Sequence, residues 1–375
     1  MKRILYISHE GDNYGGSTMS LINMIGALEG DIQAWVVIPQ NGKVETLFQE
    51  KGINYVVVPY RINYTHRKGL SRIITHLPRL FVDFFINRRS VNKISFYFKN
   101  LSIDVVHSNS SVVGIGQWVA KNLEAKFVWH IREYLDLDFG YTPTIGWPKF
   151  IRKIKKADMI FCVSHGIKAH YKLDAFPQAQ VVYNAVMKKN GGMDRLVGKG
   201  NYFIFVGNVS KNKGIEDAFH AFAKISCQNP TFRLKIAGRV KEEYFQELKL
   251  LAEELEVIDK IDFLGFTIDL THLMNQANAL LMCSKNEAFG RVTVEAMFNS
   301  CVVIGYNNAG TKELISDKGV GLLYDDVVGL ANKMKWVIEN PMEVERIEKS
   351  ARLFAQERFS EEVIREKISN LYNSL

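Results

Sequence analysis

The sequence predicts an α/β fold with two doubly wound parallel sheets, one in each of two domains that face each other across a cleft. Short apolar segments alternate with amphipathic segments along the whole chain, which is typical of βα units. The chain has 375 residues, 47% of them hydrophobic, so it can enclose two sizeable cores. Residues 187–200 are rich in Gly, Lys and Asn and lack periodicity, which indicates a linker between the two series of strands.

The first domain, residues 1–186, is predicted to begin with a strand at Ile4–Ser8 and a helix at Met19–Leu28. Its later strands are predicted at Ala34–Ile38, Tyr55–Val58, Val105–His107, Phe127–His130 and Met159–Val163. In such sheets, ligands bind outside the carboxyl ends of the strands, where the strand order reverses. We therefore expect the loops after strands to form the functional site.

The second domain, residues 201–359, repeats this pattern. Its strands are predicted at Tyr202–Val206, Arg233–Ala237, Ile261–Leu264, Ala279–Cys283 and Val302–Ile304. Residues 360–375 are predicted to form a final packed helix, because Ile364, Ile368 and Tyr372 recur at helical spacing.

The composition argues against several classes of protein. No apolar run approaches the roughly 18–20 residues that cross a bilayer, and the apolar stretch Ile4–Ile7 is too short for a signal peptide. The four cysteines are far apart and form no CxxC pair. We therefore expect free thiols in a reducing cytoplasm rather than disulfides or a metal site.

The net charge of +8 comes from one segment, residues 61–100. This segment holds nine Lys and Arg residues and one acid, Asp83. Bulky residues such as Phe81, Phe84 and Phe85 lie between the cations, a mixture that suits contact with anionic lipid headgroups. A long core helix with a solvated basic face is the alternative. Nucleic acid binding is not expected, because no nucleic-acid module surrounds the segment.

A glycine-containing loop follows the first strand of each domain. In HEGDNYGGS, Gly15 and Gly16 precede a helix whose N-terminus favours anions, although glycines that only form a turn would give the same pattern. The G-x-G-x-x-G spacing of dinucleotide-binding folds is absent, so NAD binding is not expected. In FVGNVSKNKG, Gly207 and Gly214 permit a turn that brings Lys213 to exposed backbone N–H groups, where a phosphate would bind.

The strongest signal is SKNEAFGRVTVEA, residues 284–296, which follows a strand and opens a helix. Glu287 lies in the loop and Glu295 inside the helix, so their Cα atoms would be about 12 Å apart if the backbone between them were wholly helical. A retaining glycosidase needs its two carboxyl groups about 5–5.5 Å apart. Between the glutamates, N–H groups near Phe289 and Gly290 start the helix and favour an anion. The order of carboxylate, amides and carboxylate matches the hexose, diphosphate and ribose of a sugar nucleotide.

These motifs, with Gly238, Gly265, NNAGTKELI and GVGLL, resemble the C-terminal half of family 4 glycosyltransferases of the GT-B fold. In the first half, the resemblance rests on Gly15 and Gly16, DVVHSNSS, WHIREY and VVYNAV, and it covers nearly the whole chain. The resemblance implies two Rossmann-like domains. Residues 1–186 would face the acceptor, residues 201–359 would bind the donor nucleotide, and helix 360–375 would pack back toward the N-terminal domain.

The resemblance also implies a retaining transfer from a nucleotide sugar, without a metal ion or other cofactor. Glu287 would orient the donor sugar, Lys213 would neutralise the diphosphate, and His130 would reach the transferred sugar from across the cleft. Glu295 would hold the ribose, and the N–H group of Gly16 would contact the β-phosphate. The further donor-binding positions that the resemblance implies are Gly15, Gly207, Asn208, Arg239, Phe266, Ala288, Phe289, Gly290, Arg291 and Val292.

Position 208 departs from the family. The family usually has Arg where this chain has Asn208, so one cation for the diphosphate is missing. We hypothesise that Arg132 or Arg291 replaces it. The triplet Asp136–Leu137–Asp138 imitates the DxD metal motif of the other glycosyltransferase fold, but it lies outside the expected donor site, and we expect no metal ion there.

The sequence therefore favours a hexosyltransferase that uses a nucleotide-diphosphate sugar, with UDP favoured, and a lipid-linked saccharide or glycolipid acceptor in the synthesis of a surface polysaccharide such as a capsule. It would act in the cytoplasm at the inner face of the cell membrane, with residues 61–100 on the anionic surface. Asn208 suggests an alternative, a noncatalytic membrane-associated subunit that binds sugar nucleotides. A UDP-sugar epimerase or soluble glucan synthase of the same fold is a further alternative, which the segment 61–100 disfavours.

Overall fold

In a computed structural model, the chain divides into two compact units. Unit 1 comprises Met1–Ala185 and Glu361–Leu375, and unit 2 comprises Val186–Ser360. For residues 70–79 the structure describes the backbone alone. The residues that it describes are 1–12, 15–65, 70–196, 198–267, 270–316 and 319–375.

Unit 1 is built on a seven-stranded parallel sheet and a short antiparallel pair. Its strands are β1 (Lys2–Ile7), β2 (Ile32–Ile38), β3 (Asn54–Val57), β4 (Tyr64–Thr65), β5 (Val105–Ser108), β6 (Lys126–Ile131), β7 (Thr142–Pro143), β8 (Met159–Cys162) and β9 (Ala179–Val181). Its first helices are α1 (Gly16–Ala27), α2 (Lys43–Glu50), α3 (Leu70–Phe98), α4 (Gly116–Asn122), α5 (Asp136–Phe139), α6 (Trp147–Ile154) and α7 (His165–His170).

The strand order in the large sheet of unit 1 is β3-β2-β1-β5-β6-β8-β9, and β4 pairs with β7. Ile4, Leu5 and Ile7 of β1 have no exposed surface, as expected for a strand inside a parallel sheet, which is buried on both faces. The order reverses between β1 and β5. The loops that follow these two strands therefore lie at the edge where such sheets bind ligands.

Unit 2 is built on a six-stranded parallel sheet. Its strands are β10 (Tyr202–Val206), β11 (Arg233–Ala237), β12 (Ile261–Gly265), β13 (Ala279–Met282), β14 (Val303–Tyr306) and β15 (Leu322–Tyr324). Its helices are α8 (Ile215–Ser226), α9 (Glu242–Glu254), α10 (Thr271–Gln276), α11 (Arg291–Phe298), α12 (Ala309–Ile315), α13 (Val327–Glu339) and α14 (Pro341–Phe359), with short 3₁₀ turns at Lys211–Lys213 and Ile258–Lys260.

The core of unit 2 forms where amphipathic helices cover this sheet. Along α8, Ile215, Ala218, Phe219 and Phe222 recur at the spacing of one helix face, and all are fully buried. The strand order is β12-β11-β10-β13-β14-β15, so it reverses between β10 and β13. The loops after these two strands carry Lys213 and Glu287.

The chain ends with α15 (Glu361–Asn373), which belongs to unit 1. Its apolar side buries Ile364, Ile368 and Tyr372. Arg365 makes two contacts of 2.7 and 2.8 Å with the carboxylate of Asp31. The helix is therefore held to unit 1 by packing and by a bidentate ion pair.

The segment 187–200, predicted to be a linker, is instead part of unit 2. The backbone N–H of Met193 donates to Asn299 Oδ1 at 3.1 Å, and Asn275 Nδ2 donates to the carbonyl oxygen of Asp194 at 2.9 Å. Its Gly and Lys content is typical of a flexible connection, but its polar groups find partners on unit 2.

Helix α3 has 29 residues and forms most of the basic segment 61–100. Its described part buries Ile94 and Phe98 but exposes Phe81, Phe85 and Phe96, at 66%, 58% and 67%. A core helix that exposes only its basic face would not leave these rings in solvent. Among the described residues, no helix is both long and apolar enough to cross a membrane.

Candidate active site

A cation and a carboxylate meet where the strand order of unit 2 reverses. Lys213 ends the turn after β10, and Glu287 lies in the loop after β13. Lys213 Nζ lies 2.7 Å from Glu287 Oε2, and the two side chains are 32% and 19% exposed. Both side chains therefore keep part of their surface accessible.

Glycines let these loops approach other backbone closely. A Cβ on Gly214 would lie 2.4 Å from the carbonyl oxygen of Cys283, and Gly214 has a φ of 69°, in the left-handed region. A Cβ on Gly238 would lie 1.7 Å from the carbonyl oxygen of Gly207. Any larger residue at Gly214 or Gly238 would push the Lys213 turn or the β11 loop away from its neighbour.

The N-terminus of α11 offers backbone amides beside this pair. Gly290 is the N-cap residue, with a φ of 93°, and it has no side chain to cap the helix. The N–H groups of the first turn, including that of Val292, therefore favour an anion. Because α11 begins at Arg291, the backbone from Glu287 to Gly290 is not helical. The estimated spacing of the two glutamates, which assumed a continuous helix, does not apply.

Glu295 lies inside α11 and pairs with Arg291, with 2.7 Å between Glu295 Oε1 and Arg291 Nε. Another guanidinium nitrogen, Arg291 Nη1, is buried and has no hydrogen-bond partner in the part of the chain that the structure describes. Arg291 therefore pairs with Glu295 and still has one donor nitrogen that no described group accepts from. Two neighbouring residues were also predicted to bind the sugar nucleotide. Ala288 is partly buried, and the ring of Phe289 packs against that of Phe359, with 5.6 Å between the centroids.

The start of α12 supports the Glu287 loop, and the sequence analysis assigned no role to it. The N–H of Gly310 donates to the carbonyl oxygen of Glu287 at 2.7 Å, and a Cβ on Gly310 would lie 2.6 Å from that oxygen. Asn308 Nδ2 donates to the carbonyl oxygen of Lys285 at 2.9 Å. Asn308 and Gly310 both lie in the motif NNAGTKELI, so that motif could have pointed to them.

A second cluster of predicted donor-binding residues lies beside the loops after β10, β11 and β12. The Arg239 guanidinium stacks on Phe266, 4.3 Å from Cζ to the ring centroid, and Phe266 is 50% exposed. Arg239, Asn208 and Tyr244 line an open depression of about 560 Å³. Its lining is partly apolar and carries both cations and the acids Glu243 and Glu247, so the charge of the depression is mixed.

In unit 1, the N-terminus of α1 is occupied by a side chain. Glu10 Oε2 accepts hydrogen bonds from the N–H groups of Gly15 and Thr18, at 3.2 and 3.1 Å, and from the Thr18 hydroxyl. The preference of this helix start for an anion is thus met by Glu10. A β-phosphate at the N–H of Gly16 would have to share the helix start with this carboxylate. The donor-binding roles of Gly15 and Gly16 stay predictions.

His130, in β6, is 1% exposed. Its Nδ1 lies 3.2 Å from His107 Nε2, and burial, followed by the charge of Arg132, lowers the pKa of His130 well below its usual range. Arg132 donates from Nε to Asn109 Oδ1 at 3.0 Å and from Nη1 to Asn184 Oδ1 at 2.5 Å. The structure therefore places His130 as a neutral ring within unit 1, and its reach to a sugar stays a prediction.

The DxD-like triplet lies on the short helix α5 of unit 1. Asp136 Oδ1 lies 3.0 Å from His170 Nε2, and Asp138 accepts a hydrogen bond from the N–H of Tyr134 at 2.8 Å. Burial, followed by the charge of Glu133, raises the pKa of Asp138 to about 7. Across the described ranges, no group of three His, Cys, Asp or Glu side chains is arranged to hold a metal ion.

Residues 193–354 match the profile of the family described as glycosyl transferases, group 1. This region contains Lys213, Glu287, α11 and Glu295. The match covers less than half of the chain, and we call this region the group 1 domain. The chain is 26% identical over 235 residues to N-acetyl-alpha-D-glucosaminyl L-malate synthase of Bacillus anthracis, covering 58% of this chain and 60% of that protein.

A second relative is GalNAc-alpha-(1->4)-GalNAc-alpha-(1->3)-diNAcBac-PP-undecaprenol alpha-1,4-N-acetyl-D-galactosaminyltransferase of Campylobacter jejuni. The two chains are 30% identical over 146 residues, which cover 38% of this chain and 40% of that protein. The matched segments thus span between 40% and 60% of these two curated relatives.

The whole chain is similar to a solved structure, that of Alr3699/HepE from Anabaena in complex with UDP. The TM-score is 0.82 at 20% identity, with full coverage of both chains. The same Anabaena protein in complex with UDP-glucose gives a TM-score of 0.81. This likeness confirms the predicted GT-B fold.

The group 1 domain brings most of the predicted site residues to one edge of its sheet. Lys213, Glu287, Gly290, Arg291 and Glu295 are linked by the two ion pairs and the start of α11. Three further predicted residues, Asn208, Arg239 and Phe266, lie with the second cluster. Gly15, Gly16, His130 and Arg132 lie in unit 1.

Proposed function

We propose that this chain transfers a hexose from a nucleotide-diphosphate sugar, with UDP favoured, to a lipid-linked saccharide or glycolipid acceptor in the synthesis of a surface polysaccharide such as a capsule. The observation that carries the proposal is the contact of 2.7 Å between Lys213 and Glu287 at the switch point of the group 1 domain. Beside it lie uncapped helix amides and then Glu295. This order of groups fits a sugar, a diphosphate and a ribose.

The reaction we propose retains the configuration at the sugar C1. The bond between C1 and the leaving phosphate oxygen breaks, and the acceptor hydroxyl oxygen forms its bond to C1 on the same face. The acceptor proton passes to the leaving phosphate, so neither glutamate forms a bond to the sugar. Lys213 stabilises the charge of the diphosphate, and Glu287 orients the hexose. Arg291 Nη1 supplies the cation that position 208 lacks, and the proposal needs no metal ion.

Two similarities support the donor and acceptor classes. The Anabaena structures of the same fold contain UDP or UDP-glucose, and the Campylobacter relative is named for an undecaprenol-linked acceptor. A lipid-linked acceptor also fits a protein that exposes aromatic and basic side chains on one helix, α3.

Lys213→Ala is expected to weaken the binding of both UDP and the UDP-sugar by about 10- to 150-fold. A charge-assisted contact to phosphate contributes roughly 1.5–3 kcal/mol, which corresponds to that range. Titration calorimetry with UDP, GDP, ADP and dTDP measures the affinity and identifies the base. Lys224→Ala is the control, because it removes an exposed lysine from α8 of the same domain. An unchanged affinity for UDP in Lys213→Ala would show that Lys213 is only solvated.

The alternatives are separated by the fate of the donor. A transferase releases UDP when an acceptor is present, whereas a noncatalytic subunit binds the UDP-sugar and releases no nucleotide. An epimerase converts the UDP-sugar into a different UDP-sugar without an acceptor, and a soluble glucan synthase uses a water-soluble oligosaccharide. Chromatography of the nucleotide products, with and without a lipid-linked acceptor, distinguishes these outcomes.

We also propose that α3 binds the anionic inner face of the cell membrane and so places the enzyme at its acceptor. Arg88, Arg89 and Lys93 are exposed on the same helix as the exposed rings of Phe81 and Phe85. Basic residues near an anionic surface contribute about 1 kcal/mol each, and the rings add apolar area at the interface.

Arg88→Gln combined with Arg89→Gln is expected to weaken binding to anionic vesicles by about 10- to 30-fold, from about 1 kcal/mol for each charge. Binding of the unmodified chain should also fall steeply with salt, because exposed charges are screened beyond about 8 Å at physiological ionic strength. Co-sedimentation with liposomes measures both effects. Lys43→Gln combined with Lys51→Gln removes two exposed lysines elsewhere in unit 1 and serves as the control. Equal binding to neutral and anionic vesicles would refute the proposal.

A further inference from the structure

A chain of hydrogen bonds runs through the core of unit 1 and ends at His130. Tyr6 Oη lies 3.1 Å from Tyr372 Oη, which lies 2.6 Å from His107 Nδ1. His107 Nε2 lies 3.2 Å from His130 Nδ1. All four side chains are at most 1% exposed. The last nitrogen, His130 Nε2, is buried and has no hydrogen-bond partner among the described residues.

Each of the two imidazole rings carries a single N–H proton, because burial and the charge of Arg132 lower the pKa of both His107 and His130 well below the usual range. The hydrogen bonds can therefore point in one of two directions. Either every group donates toward His130, or every group donates toward Tyr6.

The Tyr6 hydroxyl decides between the two directions. Its described hydrogen bond is the one with Tyr372, and the residue has no exposed surface. If the hydrogen bonds were all donated toward Tyr6, the hydroxyl proton of Tyr6 would be buried without an acceptor. If Tyr6 donates to Tyr372, Tyr372 donates to His107 Nδ1 and His107 Nε2–H donates to His130 Nδ1. Either direction leaves one terminal proton without an acceptor, but here it is the Nε2–H of His130, near the carboxyl end of β6, where parallel sheets bind ligands that can accept it.

We infer that Tyr372 of the C-terminal helix and His107 of β5 are positioning residues that hold His130 in the tautomer with its proton on Nε2. His130 then offers a neutral N–H donor at a nitrogen that no described group occupies. The position of Tyr372 is itself fixed, because Lys2 Nζ donates to its carbonyl oxygen at 2.6 Å and Arg365 anchors the same helix to Asp31.

The identity of the ligand rests on the proposed function: the acceptor of this N–H is an oxygen atom of a substrate of the proposed transfer. A neutral donor at Nε2 can hold a hydroxyl oxygen in the ground state and the transition state. It cannot accept a proton at that nitrogen. His130 therefore acts by orienting the substrate rather than as a general base.

The direct test is a two-bond ¹H–¹⁵N correlation spectrum of the full chain labelled with ¹⁵N-histidine, recorded at neutral pH. The signals of His107 and His130 are assigned by their loss in His107→Phe and His130→Asn. We expect both rings in the tautomer with the proton on Nε2. A proton on Nδ1 of His130, or a doubly protonated ring, in the unmodified protein would overturn the inference.

Variants then test which residues fix the tautomer. Tyr372→Phe removes the donor to His107 Nδ1, so a second tautomer should appear at both rings. His107→Gln should keep His130 protonated on Nε2, because its side-chain amide can donate to His130 Nδ1, whereas His107→Phe should not. Tyr202→Phe is the matched control, since it removes a hydroxyl bonded to the carbonyl oxygen of Leu273 in unit 2. A His130 spectrum that is the same in all four variants would remove the positioning role.

Activity gives a separate readout. His107→Phe is expected to lower kcat by about 3- to 10-fold, the range for the loss of one supporting hydrogen bond, with the affinity for UDP unchanged. His107→Gln should recover most of that loss. If no transfer occurs in any variant while the spectra follow the expected pattern, the proposed function is wrong and the positioning inference stands. A kcat that does not change although the tautomer does would show that His130 has no part in transfer.

Discussion

Glu287→Gln is expected to lower the transfer rate at saturating donor by about 100- to 1,000-fold, while the affinity for free UDP stays the same or rises. Gln keeps the size of the side chain but removes its charge. In the ligand-free chain that charge lies 2.7 Å from Lys213 Nζ, where it competes with a diphosphate for the cation. In the proposed reaction, the same charge orients the hexose at C1. Removing this charge should therefore destabilise the transition state without weakening nucleotide binding.

Glu295→Gln is the matched comparison, since it removes the same charge from the other end of the proposed site. The proposed partners of Glu295 are ribose hydroxyls, which are present in the substrate, the product and the transition state, so UDP binding should weaken while kcat changes little. Titration calorimetry with UDP and transfer rates at saturating donor measure the two quantities. If Glu287→Gln loses UDP binding while Glu295→Gln keeps it, the sugar nucleotide lies in the opposite orientation.

The fold was predictable from the sequence wherever a strand is a continuous apolar run between turn residues. The predicted bounds of β10 and β11, Tyr202–Val206 and Arg233–Ala237, agree with the structure at both ends. The strands that the sequence analysis missed are short and lie at edges. β9 and β15 have three residues each, close their sheets on one side and pair with one neighbour. The pair of β4 and β7 has two residues in each strand, too few to give a period.

The candidate site was predictable as far as it depends on residues close together in the chain. The spacing of Glu287, Gly290 and Glu295 places a loop and a helix start in order, and the reversal of strand order brings Lys213 to that loop. Contacts between residues far apart in the sequence give no spacing pattern from which they could be predicted. His107 and Tyr372 are 265 residues apart in the chain. The carboxylate of Glu10 on the α1 N-terminus depends on how its own loop folds back, which spacing does not determine.

Glu348→Ala is expected to lower the free energy of unfolding of unit 2 by about 3–5 kcal/mol, the usual cost of removing one partner from a buried ion pair. Glu348 has no exposed surface, and its two oxygens lie 2.8 Å from Lys199 Nζ and 2.8 Å from Arg195 Nε. Lys199 also donates to the carbonyl oxygens of Asn275 and Ser300, at 2.7 and 2.8 Å. Its ammonium group is therefore fixed in place and cannot move to solvent when the carboxylate is lost.

Glu345→Ala separates the effect of burial from that of charge. Glu345 lies 3.2 Å from the same Arg195 but is 39% exposed, so its loss should cost less than about 1 kcal/mol. Combining Glu348→Leu with Lys199→Met removes both buried charges and should recover part of the stability. Urea unfolding measures the free energies, and hydrogen exchange at residues 193–196 reports the local loss. Because Arg195 and Lys199 immediately precede β10, whose loop carries Lys213, we expect the loss of Glu348 to loosen this segment before the sheet itself unfolds. A cost for Glu348→Ala no larger than that for Glu345→Ala would show that the segment is not anchored by this pair.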